Sequence, residues 1–306
     1  MGGSGRPRGA GDRGRPAGAG DRNRPPRAGD RSRPPRPQPM RRYGQNHLVD
    51  KNILQAIVDQ AAVAPDDVVL EVGAAGGLLT RPMLEQARLV HAFEIDRRWL
   101  PRLEDLAVAD PRLVLHAGDA LRADLPALDP PPTALVANLA YNIAIPLIMT
   151  TIAELPSVRR WSVMVQKELG ERLFASPSTK AYSAVSVLTQ LACRQEKSRP
   201  VPASAFRPRP RVESSFLTFV RRDADEAPAP AEYAEVAHLV RLAFGQRRKT
   251  LVNSLGGGAY RGVTLSRDDV RAGLRALGKP EAARPEELAP PQWLAFAAGL
   301  GREAAG

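Results

Sequence analysis

The stretch DVVLEVGAAGGLLT, residues 67–80, decides the fold. Its apolar residues run almost without polar alternation, as a strand covered on both faces requires. A glycine-rich turn follows, and then a run with helical spacing. Gly73, Gly76 and Gly77 allow a tight turn and close approach of a ligand to the backbone. The helix start beyond them would present free N–H groups. No Lys-Ser/Thr pair follows, so this is not a P-loop. Ala75 occupies the second glycine position of G-x-G-x-x-G, so that fingerprint is incomplete. Taken alone, a structural left-handed turn explains the stretch equally well.

The same alternation repeats outward. LVHAFEID (89–96), LVLHAGDA (113–120), TALVANLA (133–140) and WSVMVQ (161–166) read as further strands. Helical spacing separates them at 78–87, 97–107 and 144–154, and precedes them in NILQAIVDQAAV (52–63). Strand–helix–strand units imply a parallel sheet with right-handed crossovers, an α/β fold. A helix at 181–192 and strands near 192–201 and 214–221 complete that part. RRDADEAPAPAE (221–232) is polar and Pro-rich, a linker pattern. Three helical patterns follow, near 233–244, 266–277 and 285–299, with Ser266 and Asp269 resembling a capping box. The expected organisation is an arm over 1–40, a nucleotide-binding-type α/β domain over 41–222, and a small all-helical domain over 223–306.

The chain has 306 residues and a net charge of +11. That charge is unevenly spread. Residues 1–42 contain twelve Arg and three Asp, which leaves only +2 for residues 43–306. Global basicity is therefore no argument for a nucleic-acid-binding body; a local cluster must carry it. In the arm, GDR recurs at 11–13, 20–22 and 29–31 among Gly, Pro and Arg. Such a segment buries too little to offset its ordering entropy and is expected to be disordered. It could tether RNA phosphates or be a solvated tail. No apolar run is long enough to span a bilayer, and no secretory signal is evident. The single cysteine, Cys193, points to a reducing, cytoplasmic setting. His47, His91, His116 and His238 show no metal-ligand spacing, so no metal is expected. Nothing demands more than a monomer.

Chemistry gathers at the strand ends. Glu94 ends the second strand, 21 residues after Gly73, where an acid can accept both hydroxyls of a ribose. Asp119 ends the third strand, where it could meet an adenine edge. Each acid alone is more often a solvated strand-end carboxylate or a helix cap. The ordered set favours a nucleoside-containing cofactor, with nicotinamide and S-adenosylmethionine both open. The fourth strand ends in Asn138-Leu139-Ala140-Tyr141. The Asn138 side chain and the Leu139 carbonyl offer two uncharged acceptors for the hydrogens of a flat amine. They would turn its lone pair toward an electrophile and stabilise developing positive charge. Tyr141 could stack on the base. The bland reading is an Asn that caps the next turn and a Tyr in the core.

At this point the chain resembles the ribosomal RNA adenine N6-dimethyltransferase family, specifically the small-subunit 16S type. The resemblance covers about residues 40–300. It rests on RRYGQNHLVD (41–50), LEVGAAGGLLT (70–80), FEID (93–96), GDAL (118–121), NLAYNIAIPL (138–147), VQKELGERL (165–173), KAYSAVSVLTQ (180–190), VPASAFRPRPRVESS (201–215) and AFGQRRKTLVNSLG (243–256), in that order. It implies a Rossmann-like S-adenosylmethionine-dependent methyltransferase sheet. The implied reaction is dimethylation of the N6 amino groups of two adjacent adenines near the 3′ end of 16S rRNA, in small-subunit biogenesis. Asn46 and Leu48 would touch the methionine part of S-adenosylmethionine, with Gly73 beneath it. Glu94 would hold the ribose and Asp119 the adenine. Asn138 and Leu139 would hold the target amine, and Tyr141 and Phe206 would flank the flipped base. Three positions depart from the family pattern. Ala74-Ala75 replaces Pro-Gly, Ala140 replaces Pro, and His47 stands where Phe is usual.

Arg207, Arg209 and Arg211 in FRPRPR, with Arg247, Arg248 and Lys249 in GQRRKTL, are the body's phosphate-binding candidates. Pro208 and Pro210 exclude a helix there, so a stiff loop is expected to deliver Phe206. Two other readings stand beside the first. A 23S rRNA adenine N6-methyltransferase conferring macrolide resistance is suggested by the arm. A non-catalytic RNA-binding ribosome-assembly factor is kept open by Ala75 and Ala140.

Overall fold

The computed structural model describes residues 46–300. The arm expected to be disordered, and Arg41 to Gln45 of the first family motif, lie outside the described residues. The chain enters through β1 (His47–Leu48) and α1 (Lys51–Ala61). The glycine stretch then does what its pattern predicts, as β2 (Val68–Val72), a turn and α2 (Thr80–Gln86). Next come β3 (Leu89–Glu94), α3 (Leu100–Ala109), β4 (Leu113–Ala117), β5 (Ala134–Asn138), α4 (Tyr141–Glu154) and β6 (Arg160–Gln166). After α5 (Lys167–Leu173) and α6 (Ala184–Ala192), β7 (Cys193–Val201), β8 (Phe206–Arg207) and β9 (Ser214–Arg221) close this part.

Seven strands form one sheet in the order β4-β3-β2-β5-β6-β9-β7. The first five are parallel, and β9 runs antiparallel between β6 and β7. Strand order reverses between β2 and β5. That is the switch point where open α/β sheets bind ligands outside the carboxyl ends of the strands. The short β1 pairs with β8, Leu48 opposite Phe206, and so lays the chain entry beside that edge.

Helices cover both faces, which is why the strands need no polar alternation. One face, with Val69, Val136 and Phe216, packs against Ile57, Met83 and Leu103 of α1, α2 and α3. The other carries Leu135, Trp161 and Phe219 against α4 and α6. The C-terminal elements are α7 (Pro230–Gly245), α8 (Leu251–Leu255), a hairpin of β10 (Ala259–Tyr260) and β11 (Val263–Thr264), α9 (Arg267–Ala276) and α10 (Pro290–Leu300). Ser266 and Asp269 form the capping box expected of them, with bonds of 3.1 and 2.7 Å. Trp293 and Phe296 belong to the same apolar cluster as Trp161 and Phe219. The buried Tyr182 hydroxyl donates to the Leu288 carbonyl at 2.8 Å, and that of Tyr233 to Leu188 at 3.4 Å. The C-terminal helices therefore share a core with the sheet layer.

Two of the sequence-distant histidines meet on adjacent strands: His91 Nδ1 lies 3.1 Å from His116 Nε2. Among the described residues no group of three or more His, Cys, Asp or Glu is placed to hold a metal. No helix there is long and apolar enough to cross a membrane.

Candidate active site

The turn after β2 sets the floor of the site. Gly73 has φ +82°, in the left-handed region. A Cβ placed on it would lie 3.9 Å from the Asn138 carbonyl oxygen, an ordinary contact. Conformation rather than space therefore requires glycine here. Ala75 also takes a left-handed φ, +48°, without being glycine. Its N–H donates to Glu94 Oε2 at 2.7 Å. The turn thus spends backbone strain to aim a donor at the acid on the neighbouring strand. Ala75→Gly is expected to raise folding stability by roughly 0.5–1 kcal/mol, because the left-handed Cβ contact disappears. Urea unfolding checks this, and an unchanged or lower stability would contradict it.

Glu94 is buried and doubly held, its Oε1 accepting the Asp96 N–H at 2.7 Å. Each oxygen keeps one further lone pair. Burial pushes the Glu94 carboxyl above its ordinary value, against the backbone N–H groups of Asp96, Ala75 and Ile95, which favour the charged form. A second acid, Glu71, lies in β2 at 2 % exposure. Thr80 donates to it at 2.6 Å, tying the strand to the start of α2 across the glycine turn. Burial pushes the Glu71 carboxyl up to about 7. A folded-state pKa above the ordinary value of 4.5 means the folded protein binds a proton that the unfolded chain has lost. Stability from this group rises as pH falls from about 7 toward 4.5, and is absent above 7. Glu71→Gln keeps the acceptor for Thr80 and removes the charge. It is expected to stabilise the protein at pH 8 by on the order of 1–3 kcal/mol and to flatten this part of the stability–pH curve. Melting temperatures of both proteins across that range test it.

Asn138 ends β5 opposite Met164 of β6. Its Nδ2 donates to the Asn46 carbonyl at 3.1 Å, which leaves Oδ1 as an acceptor. The Leu139 N–H is spent on Met164 O at 3.0 Å, while its own carbonyl takes no bond from the described residues. Asn138 does not cap the helix that follows. Ala140 is the N-cap of α4, and no side chain caps it. Tyr141, the first residue of α4, is 60 % exposed and so is not core. The helix begins three residues earlier than the sequence pattern suggested. Pro146 sits inside it and removes the donor for the carbonyl of Asn142.

Ala140 has φ −66° and ψ 145°, values a proline would adopt unforced. Its N–H bonds to no described residue. Replacing the family's proline with alanine therefore leaves the backbone of this turn at proline's angles in the folded state. Ala140→Pro is expected to add about 0.4–1 kcal/mol by restricting the unfolded chain. Methyl-transfer rate at saturating substrate should stay within about twofold of the parent; a larger fall would mean the N–H is used.

These residues line a cleft of about 500 Å³. It brings together Asn46, Gly73, Glu94, Asn138, Leu139, Tyr141 and Phe206. Leu48 is buried beneath, in the core, at 6 % exposure. Asp119 lies one strand farther, two residues beyond Ala117, the partner of Glu94. There it accepts the Leu121 N–H at 3.0 Å and stays outside the cleft lining. Phe206 reaches the cleft but is only 2 % exposed, held against Leu48. Arg207, Arg209 and Arg211 are exposed on a non-helical loop whose Pro210 and Val212 do line the cleft. Arg247, Arg248 and Lys249 are exposed in the turn after α7, where Arg247 donates to the Lys180 carbonyl at 3.0 Å. His47 packs edge-on against Trp99, ring centres 5.2 Å apart. Sequence reasoning overlooked Ile95, Met164 and Gln166, all in the cleft wall, and Glu71 with Thr80 beneath it. Ile95 could have been noticed as the apolar residue straight after the strand-end acid.

The fold recurs in known proteins. The crystal structure of a dimethyladenosine transferase from Plasmodium falciparum superposes with a TM-score of 0.71 at 24 % identity, covering 84 % of this chain and 98 % of that one. That of the 23S rRNA methyltransferase ErmE gives 0.62 at 27 %, covering 84 % and 100 %. Curated relatives named ribosomal RNA small subunit methyltransferase A include one from Rubrobacter xylanophilus, 41 % identical over 85 % of this chain and 94 % of its own. Another, from Kineococcus radiotolerans, is 41 % identical over 82 % of each. The family model described as ribosomal RNA adenine dimethylase matches residues 38–272. On that match, over most of its length and through every strand and turn of the cleft, the chain belongs to the ribosomal RNA adenine dimethylase family.

Proposed function

We propose that the chain uses S-adenosylmethionine to dimethylate the N6 amino groups of two adjacent adenines near the 3′ end of 16S rRNA. The observation that carries this is the pairing, in one cleft, of a strand-end carboxylate beside a left-handed glycine turn with an uncharged two-acceptor element. The cleft fits the cofactor on its own terms. Gly73 keeps the backbone bare, Glu94 has two free lone pairs, and Ile95 is 46 % exposed as an apolar surface for a flat base. S-adenosylmethionine, when bound, supplies an electrophilic methyl group. Glu94 would accept its ribose hydroxyls, Asn46 and Gly73 would border its methionine part, and Leu48 would support Asn46 from the core. Asp119, at the carboxyl end of the neighbouring strand β4, would meet the adenine edge.

Asn138 Oδ1 and the Leu139 carbonyl would accept the two hydrogens of the target amine. That draws the nitrogen lone pair out of conjugation with the ring and stabilises positive charge as the C–N bond forms. Tyr141, exposed at the cleft mouth, would stack on the base, with Phe206 behind it. The proton released from the methylated nitrogen passes to water at that mouth. After one transfer a single N–H remains and needs only one of the two acceptors, so a second transfer is accommodated. Arg207, Arg209 and Arg211, with Arg247, Arg248 and Lys249, would contact phosphates and position the RNA. The helical region from 223 onward would serve RNA binding in a monomeric protein.

The curated relatives at about 40 % identity over most of the chain are named for the small subunit, which favours the small-subunit target. Labelled S-adenosylmethionine with unmethylated small and large subunits, mapped by primer-extension stops, tests it. Label in adjacent 16S adenines is expected. Label in 23S rRNA alone would move the target, and no transfer despite tight binding would leave an RNA-binding factor.

A further inference from the structure

Edge strand β7 carries a charge pattern that methyl transfer does not use. Among the described residues it pairs with β9 on one side only. Between its buried ends, Cys193 and Val201, every residue is exposed. Arg194, Lys197 and Arg199 stand opposite Val220, Thr218 and Phe216 of β9, positions two residues apart. The three cations therefore share one face of the strand. The bulge between Gln195 and Lys197 makes this possible. Without the inserted residue, positions three apart would point to opposite faces. Across the sheet Arg160 also pairs with Val220, and Arg159, Arg194, Arg221 and Arg222 border a second cavity of about 750 Å³ at that end.

Lysine, arginine, proline and a bulge are also what an edge strand carries to prevent pairing with another chain. That role needs charge but neither one sign nor one face. Here three of the four charged residues of the strand are cationic and co-facial. The single acid, Glu196, is shared between Arg160 at 2.9 Å and Arg194 at 3.6 Å. The side chains of Arg159 and Lys197 make no hydrogen bond or ion pair with the described residues. Arg199 touches the Gln60 amide at 3.3 Å, not a carboxylate. Arg221 behind them is held by the carbonyls of Ile152, Leu155 and Val158, again with no carboxylate. The field over this face is accordingly positive.

The row leads to the cleft. Val201 lies opposite Ser214, which lines it, so Arg199 begins two residues below the rim. Successive cations are then spaced by about 6.6 Å at roughly 3.3 Å per strand residue. That matches the step between phosphates along an RNA strand. We propose that Arg199, Lys197 and Arg194, continued by Arg159, form a phosphate track that holds the RNA backbone leading away from the target adenine. The track rests on the reading of the substrate as RNA. It positions the strand and reads no sequence.

The test uses the full chain with three variants: Arg159→Gln/Arg194→Gln/Lys197→Gln, Glu196→Gln alone, and Arg81→Gln/Arg88→Gln as exposed cations on the α2 side. Affinity for a full-length 16S rRNA transcript is measured from about 50 to 300 mM KCl, with methyl transfer to unmethylated small subunits at saturation. The triple variant should lower the salt slope by about 2–3 and weaken binding about tenfold at physiological salt. Its saturated transfer rate should stay within about twofold of the parent, since the track lies outside the cleft. Glu196→Gln should tighten binding and steepen the slope. An unchanged slope in the triple variant, or an equal loss per charge in the α2-side control, overturns the track. Should the triple variant fail to fold, Glu196→Gln decides alone, and unchanged or weaker binding overturns it. If the parent itself methylates no RNA, the substrate reading fails instead.

Discussion

Asn138→Ala is expected to lower methyl transfer by about 10²–10³-fold at saturating substrate, the usual cost of removing one group that meets developing charge. RNA affinity should change little, because the phosphate contacts lie elsewhere. The reason is geometric. Asn138 ends its strand at the switch point, and its Nδ2 is already committed to the Asn46 carbonyl at 3.1 Å. Only the oxygen remains to accept the amine, and alanine leaves nothing in its place. The same substitution also frees the Asn46 carbonyl, so S-adenosylmethionine affinity should be measured alongside. A fall in rate with near-parental cofactor affinity identifies the amine acceptor. A rate within tenfold of the parent would sink the assignment, and a rate lost only through cofactor affinity would recast Asn138 as a positioning residue.

The cleft was legible because its parts are local. A glycine turn, a strand-end acid and a strand-end amide each announce themselves within a few residues, and all fall at carboxyl ends of parallel strands. What was not legible depends on partners far along the chain. Glu71 reads as one polar residue in an apolar run until Thr80 folds back on it. The placement of β9 between β6 and β7 depends on pairing between segments far apart in the chain, although the exposed, charged β7 does carry the composition of an edge strand. Helix α5 follows β6 with no turn residue between them, so nothing in VQKELGERL marks the change of backbone. The start of α4 was placed too late because Pro146 suggests a break. Six residues into the helix it removes one bond near the exposed first turn, where water can replace it. Ala140 taught the converse. The family's proline is missing, yet the fold holds the alanine at the proline's angles through the strand before it and the helix after it.

Glu94→Ala should weaken S-adenosylmethionine binding by about 10–100-fold, the range expected when hydrogen bonds to a charged group are lost. Calorimetric titration with the cofactor measures it directly, without RNA. A pH series makes the assignment sharper, because binding and stability should move in opposite directions. Burial holds the Glu94 carboxyl above its ordinary value of 4.5. Ribose hydroxyls need the ionised form as acceptor, so parental affinity should fall as pH drops through that raised pKa. The fall should begin at less acidic pH than an exposed glutamate would give. For the free protein the sign reverses. The folded state takes up a proton that the unfolded chain has lost, so this group's contribution to stability grows as pH falls from the folded pKa toward 4.5. Glu71 adds a contribution of the same sign with a folded pKa of about 7. Acidification should therefore steady the empty protein while loosening its grip on the cofactor. In Glu94→Ala the affinity should be nearly flat over this range, while the Glu71 part of the stability curve persists. An alanine variant that binds the cofactor within about threefold of the parent, or that keeps the parental pH dependence of affinity, would show that the ribose is held by other groups.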